Sequence, residues 1–310
     1  MMLRHPLIRS CLTLTLFLSH SVAFSQWSMM TASPQSPTTS VQLQTTDFST
    51  TTASSSLAPP VVLVHGLLGN RKNFNSIGTA LSQQLQTHRR ILSVDLRNHG
   101  ETVATEGMRE TMSLEEMAND VVSVLDRHGI PKAVLVGHSI GGKVCQALSL
   151  LYPERVQGLV VLDIAPVAYT TREAHWQAIH EIIQACANIP PGVYTKKEVD
   201  AMLQQDVPDP ALRAFLLTNY GEKEWKIPME CIRNQLDTLA GFDIPSTCQY
   251  SGDVFIIHGG QSRFVRSGHM TAIQDYFPNH MLTTIRGAGH WVHAEAPDAT
   301  IALLKRFLDR

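Results

Sequence analysis

The chain has 310 residues, with 25 Lys and Arg against 27 Asp and Glu and a formal charge of −2. That length suits one large α/β domain plus an extension, because single cores rarely grow beyond roughly 250 to 300 residues. The balanced charge supplies no basic field, which argues against a nucleic-acid partner or capture by anionic lipid headgroups.

Residues 1 to 23 hold Arg4 and Arg9, an apolar stretch from Cys11 to Leu18, and Ser21-Val22-Ala23. This charged, apolar, small-residue order predicts a signal-like targeting segment, compatible with a secretory or plastid address, and its apolar run is too short to span a bilayer. Residues 24 to 58 are dominated by Ser, Thr, Gln and Pro. Such a stretch buries too little apolar surface to offset ordering, so a disordered linker is expected, with at most one weak strand near Val41 to Leu43.

From Val61 onward, short β-branched runs alternate with longer amphipathic segments, the pattern of a mostly parallel sheet covered by helices on both faces. Val61 to Val64, Ile91 to Asp95, Ala133 to Val136, Leu159 to Asp163 and Val254 to Ile257 are continuous apolar runs, as expected of strands buried on both sides. Met281 to Ile285 is a sixth candidate. Ser113 to Gly129 reads as a helix: Leu114, Met117, Ala118, Val121, Val122 and Leu125 share one face. Ser113 and Glu116 form a capping-box pattern, Gly129 suits a left-handed stop and Pro131 blocks continuation. A second stripe, Val144, Ala147, Leu148 and Leu151, ends at Pro153, and Pro297 opens a last helix presenting Ile301, Leu304 and Leu308.

Between the strand ending near Ile164 and the one starting at Val254, about residues 166 to 250, lies an insert. It has helical stretches near Glu173 to Cys186, Lys197 to Gln205, Ala211 to Leu217 and Met229 to Leu239. Emerging from the C-terminal ends of the strands, before the penultimate one, it is expected to act as a lid over the ligand crevice.

The residues that carry chemistry begin with Gly137-His138-Ser139-Ile140-Gly141, placed directly between a strand and a helix, which is the context of a nucleophile elbow. Gly137, Gly141 and Gly142 give that tight turn the room it needs. The backbone N–H of Ile140 then faces the oxyanion from a helix N-terminus. Serine needs a base and a third group to orient it, in the order Ser, acid, His along the chain. His290, in Gly287-Ala288-Gly289-His290-Trp291, follows the last strand and precedes the last helix, where the base belongs. The second oxyanion donor is assigned to the N–H of Leu67 in His65-Gly66-Leu67-Leu68-Gly69, with His65 bracing that loop.

The acid is less direct. The loop after Val254 to Ile257 reads Gly259-Gly260-Gln261-Ser262-Arg263-Phe264-Val265 and holds no carboxylate. Ser262 cannot offset an imidazolium. Asp163, ending an apolar strand, is the better candidate, because a buried carboxylate needs a partner such as His290. Asp253 lies at the wrong end of its strand, and Asp237 and Asp243 in the insert are the fallbacks. Cys145, Cys186, Cys231 and Cys248 are irregularly spaced and read as free thiols. His290 and His293 lack acidic or Cys companions at zinc-binding spacing, so no metal is expected, and the chemistry calls for no organic cofactor.

Taken in order, His65-Gly66-Leu67-Leu68-Gly69, Asp95-Leu96-Arg97-Asn98-His99-Gly100, Gly137 to Lys143, Asp163-Ile164-Ala165-Pro166-Val167 and Gly289-His290-Trp291-Val292-His293 resemble the α/β-hydrolase superfamily, and within it the group of small bacterial esterases. The resemblance covers about residues 60 to 310 and is loose in the lid. It implies an α/β-hydrolase fold over residues 59 to 310. It also implies carboxylic-ester hydrolysis by a Ser139, Asp163 and His290 triad, and a mitochondrial address in eukaryotic members. The expected activity is therefore cleavage of a small-molecule ester or thioester through an acyl-enzyme. Carbon-carbon bond hydrolases and perhydrolases use the same triad, and a non-catalytic partner protein on this fold is the reading from another class.

Overall fold

The structure is a computed structural model that describes residues 40–49, 58–103 and 111–310. The leader, residues 1 to 23, and most of the expected linker lie outside the described residues. Among the described residues no helix is long and apolar enough to cross a membrane.

In chain order the strands are β1 (Thr45–Asp47), β2 (Val61–Val64), β3 (Ile91–Val94), β4 (Ala133–His138), β5 (Val156–Leu162), β6 (Tyr220–Gly221), β7 (Glu224–Trp225), β8 (Asp253–Gly259) and β9 (His280–Ile285). Seven of them form one sheet in the order β1-β3-β2-β4-β5-β8-β9, while β6 and β7 make a separate hairpin. Only β1 runs antiparallel to its neighbour in the large sheet. The continuous apolar runs divide by alternation onto two faces. Val62, Val64, Leu135, Leu159, Val161 and Ile256 enter one core cluster. Val61, Leu63, Val134, Val136, Val160 and Ile257 enter the other. Both faces are thus dry, which is why only Ser93, itself fully buried within β3, interrupts these apolar runs.

Helices cover both faces. Met117, Val121 and Leu125 of α2 (Leu114–Arg127) and Val144 and Leu148 of α3 (Ile140–Leu151) pack on the first cluster. Ile77 and Leu81 of α1 (Asn75–Gln84) join the second, as do Leu304 and Leu308 from the C-terminal helix over Pro297–Leu308. The capping box reads true: the Ser113 hydroxyl accepts from the Glu116 N–H at 3.2 Å, and the Glu116 carboxylate accepts from the Ser113 N–H at 3.1 Å.

The linker expectation over residues 24 to 58 needs correction at residues 40–49. Val41 and Leu43 are each 1% exposed, and the Val41 N–H donates to buried Asp120 at 2.6 Å. The strand itself is Thr45–Asp47, added to the edge of β3, rather than Val41 to Leu43. Two apolar side chains at alternate positions, with an amide captured by a carboxylate that also pairs with Arg97, suffice to dock a segment whose composition is otherwise that of a linker.

The insert is helical, as expected. It contains α4 (Ala174–Ala187), α5 (Lys196–Met202), α6 (Pro210–Leu216), α7 (Met229–Asn234) and α8 (Leu236–Ala240). The single helix expected from Met229 to Leu239 divides at Gln235. Beyond it come α9 (Met270–Tyr276), α10 (Val292–Glu295) and α11 (Pro297–Leu308). The Tyr169 N–H donates to the Ala240 carbonyl at 3.1 Å, drawing the two ends of the insert together.

Lys143, in the first turn of α3, has no solvent exposure. Its ammonium donates to the carbonyls of Ala240 at 2.5 Å and Gly241 at 2.8 Å, and lies 4.8 Å from the centre of the Tyr169 ring. It thereby caps the C-terminal end of α8. Burial pushes the ammonium from 10.5 down to about 7, opposed by the charges of Asp243 and Glu173. Below that value it is charged in both folded and unfolded chains and the full burial cost applies. Above it the folded chain releases the proton first, so the unfolded chain binds more protons and stability rises with pH. Relative to Lys143→Met, the wild-type denaturant midpoint should climb between about pH 7 and about pH 10, the free-energy difference growing by at most about 1.4 kcal/mol per pH unit. Midpoints that stay parallel would show that this ammonium keeps its proton.

Candidate active site

Strand register places the site. Val64 pairs with Gly137, His138 with Leu162 and Leu162 with Ile257. The residues at or just past the strand ends, Gly66, Ser139, Asp163 and Gly259, therefore stand in a row along the C-terminal edge, with neighbouring strands about 4.8 Å apart. Because β3 and β4 flank β2 on opposite sides, the chain diverges there, and a crevice opens where strand order reverses.

Ser139 sits at the turn between β4 and α3 with φ +52°, a left-handed backbone that a side chain rarely adopts. The turn closes so tightly that a β-carbon at Gly137 would lie 2.3 Å from the Gly141 oxygen. Asp163 also leaves its strand left-handed, at φ +56°, so the strand ends at Leu162 rather than at Asp163.

The structure brings the three expected side chains together. The Ser139 hydroxyl lies 3.0 Å from His290 Nε2, and His290 Nδ1 lies 2.7 Å from Asp163 Oδ2. A carboxylate accepts, so Nδ1 carries the proton and Nε2 is left free to receive one. Asp163 has no solvent exposure and two further donors: the Gly259 N–H at 2.9 Å and the Ser262 hydroxyl. Ser262, set aside in the sequence as unable to act as the acid, instead donates to Asp163. Asp253, Asp237 and Asp243 make no contact with His290. Leu67 lies in the cavity wall and Ile140 is the first residue of α3.

Buried histidines stiffen the floor. His65 donates from Nδ1 to the Gly66 carbonyl at 2.7 Å and accepts the Leu96 N–H at Nε2, 3.0 Å away, bracing the loop as expected. Burial, with a smaller push from His99, lowers it to about 3. His293 is lowered to about 4 by burial and by His290. It stacks on Phe74 at 5.3 Å, and its ring centre lies 4.3 Å from that of His138. His138 is held well below the ordinary range, again by burial first.

A cavity of about 390 Å³ opens beside Ser139. The core side contributes Leu67 and Trp291, and the lid contributes Ile179 and Ile183 from α4 with Leu212 and Phe215 from α6. Such a wall accepts an apolar chain, with Ser139 and His290 among the polar residues that line it.

Residues 59–297 match the family model described as alpha/beta hydrolase fold. The chain belongs to the α/β-hydrolase family. It is 36% identical over 258 residues to the sn-1-specific diacylglycerol lipase ABHD11 of Mus musculus, covering 81% of each chain. It is 34% identical to the esterase YbfF of Escherichia coli K12, covering 81% of this chain and 93% of that one. Among solved structures, a marine microorganism esterase superposes with a TM-score of 0.79 at 27% identity, covering 86% of this chain and 100% of the other. Family membership and these esterase- and lipase-named relatives support a hydrolase.

The neutral histidines make the fold acid-sensitive. His65, His138 and His293 take up protons in the unfolded chain near 6.5 but not in the folded one, so stability is fully present above that value and is lost as pH falls toward 4. Denaturant midpoints should fall over that interval, the unfolding free energy dropping by up to about 1.4 kcal/mol per pH unit for each ring. A flat midpoint would mean that the rings are charged in the fold.

Proposed function

We propose that this hydrolase cleaves carboxylic esters or thioesters through an acyl-enzyme on Ser139. The observation that carries the reading is the continuous path of hydrogen bonds from the Ser139 hydroxyl through both nitrogens of His290 to Asp163. His290 Nε2 takes the hydroxyl proton as Ser139 Oγ attacks the acyl carbon. The negative charge passes to the carbonyl oxygen, which receives the N–H groups of Leu67 and Ile140; each such donor is worth about 3 kcal/mol in the transition state. The tetrahedral species collapses, the bond to the alcohol or thiol breaks, and the His290 proton goes to the leaving group. Water, deprotonated by the same nitrogen, then attacks the acyl carbon and restores Ser139. Asp163 keeps the imidazole oriented and stabilises its cation, with Ser262 and Gly259 holding the carboxylate in place.

The apolar cavity supports a substrate whose acyl chain is hydrocarbon, and the relatives' names, a diacylglycerol lipase and an esterase, support ester chemistry. No metal or cofactor enters any step. An organellar address belongs to the same proposal, mitochondrial on the family resemblance and resting on the leader-like residues 1 to 23. A fluorescent fusion of residues 1 to 58 that stayed in the cytosol would overturn it.

On a short-chain aryl ester, Ser139→Ala should fall to background and lose fluorophosphonate labelling. Asp163→Asn should lower kcat by about four orders of magnitude, through the wrong imidazole tautomer. Ser262→Ala should lower kcat by about tenfold, the effect of one lost hydrogen bond to a buried charge. Unchanged labelling of folded Ser139→Ala would remove Ser139 as nucleophile, and wild-type rates in Asp163→Asn would remove Asp163 as the acid.

A further inference from the structure

His290 sits in Gly287-Ala288-Gly289-His290-Trp291, a loop whose glycines widen the backbone conformations open to it; Gly287 has φ +82°. A base carried on such a loop must be fixed by something else, and the proton path itself holds only the ring. Two side chains outside that path take the peptide groups on either side. His138, the last residue of β4, brings Nε2 to 3.0 Å from the His290 carbonyl oxygen. A carbonyl only accepts, so Nε2 carries hydrogen and donates. On the other side, one Glu295 oxygen accepts the Gly289 N–H at 2.6 Å and the other accepts the Trp291 N–H at 3.0 Å. Three backbone polar groups around His290 are thus tied, a carbonyl to the strand that ends at the nucleophile and two N–H groups to the carboxylate that closes α10.

We propose that His138 and Glu295 are positioning residues for the base. Together they clamp the backbone of His290 so that its imidazole stays over the Ser139 hydroxyl. The inference rests on the triad proposed above.

His138 suits the task because it precedes Ser139 in sequence, so the nucleophile and the anchor of its base share one rigid strand end. It is 4% exposed, and its ring lies 4.8 Å from that of His290 and 4.3 Å from that of His293. The ring cannot swing away without displacing its neighbours. Burial keeps it neutral, so it adds no positive charge beside an imidazole that must itself become a cation. Glu295 is exposed and does not line the cavity, which separates its role from substrate contact.

The test is steady-state kinetics on a soluble aryl ester, with thermal midpoints recorded for every variant. His138→Phe keeps a flat ring and removes the donor; Glu295→Ala removes both acceptors. Each should lower kcat about tenfold, with KM within about twofold of wild type, because a mispositioned base slows the chemical step and leaves binding alone. His138→Gln, whose carboxamide restores an N–H donor, should recover most of the loss. Full activity in both His138→Phe and Glu295→Ala overturns the inference, as does a loss expressed only in KM. A His138→Gln variant as slow as His138→Phe overturns the hydrogen bond as the cause. Should His138→Phe fail to fold, the surface variant Glu295→Ala decides alone. Ser139→Ala measured alongside separates the two readings: activity there sinks the triad, whereas an inert Ser139→Ala beside fully active positioning variants sinks only this inference.

Discussion

A carboxylate shut away from water persists in a fold only where donors surround it, and Asp163 has no solvent exposure at all. Its donors come from three separate places: the Gly259 amide at the end of β8, the Ser262 hydroxyl in the loop behind it, and the His290 ring beyond β9. One buried charge therefore gathers the ends of the chain's last two core strands around itself. The same requirement that surrounds Asp163 with donors fixes His290, because the ring meets the carboxylate through Nδ1, and that leaves Nε2 turned to Ser139.

Two residues carry the cost of this arrangement in their backbones. Ser139 and Asp163 both follow directly after buried strands and both hold positive φ, a conformation that costs about 1 to 2 kcal/mol for a residue with a β-carbon. The sheet can sustain it because β4 and β5 lie at its centre, paired on both sides and buried on both faces, so the turns cannot relax without disturbing register. Tight turns at two adjacent strand ends point the hydroxyl and the carboxylate out of the sheet edge instead of along it. A β-carbon at Gly137 would run into the Gly141 oxygen across the first of these turns, and one at Gly141 into the backbone oxygens of Val64 and His65 at the end of β2.

What the sequence made legible follows from the same physics. The central strands could be read because burial on both faces forces unbroken apolar runs, and α2 because its stripe and its Ser113 and Glu116 cap are local. Ser139 and His290 were readable from glycine-rich settings and chain order. Asp163 could be reached by asking which buried carboxylate needed a partner. The parts that escaped depend on contacts between distant positions. Residues 40–49 look like linker until Asp120, about 80 positions on, accepts the Val41 amide. Ser262 could be judged only as a substitute for an acid, since its hydroxyl meets a carboxylate 99 residues away. Nor does any periodicity mark the His138 contact with the His290 carbonyl, which spans 152 positions.

The lid obeys a different logic from the triad. Its fixed points are polar and meet the core beside the chemistry. The Asn219 carboxamide donates to the Leu68 carbonyl at 2.7 Å, within the loop assigned to the oxyanion, and the α8 terminus rests on Lys143, four residues after Ser139. The Tyr169 hydroxyl joins the loops after β5 and β8 by accepting from the Ala165 N–H and donating to the Phe264 carbonyl. Between these anchors the lid faces the cavity with Ile179, Ile183, Leu212 and Phe215, whose packing has no preferred direction. Directional bonds set where the lid stands, and non-directional side chains set the size of the space it encloses. On the mechanism proposed above, exchanging one apolar wall residue for another of different volume would change which acyl chain fits while leaving Ser139, His290 and Asp163 where they are, so selectivity and bond cleavage would be separable properties of this chain.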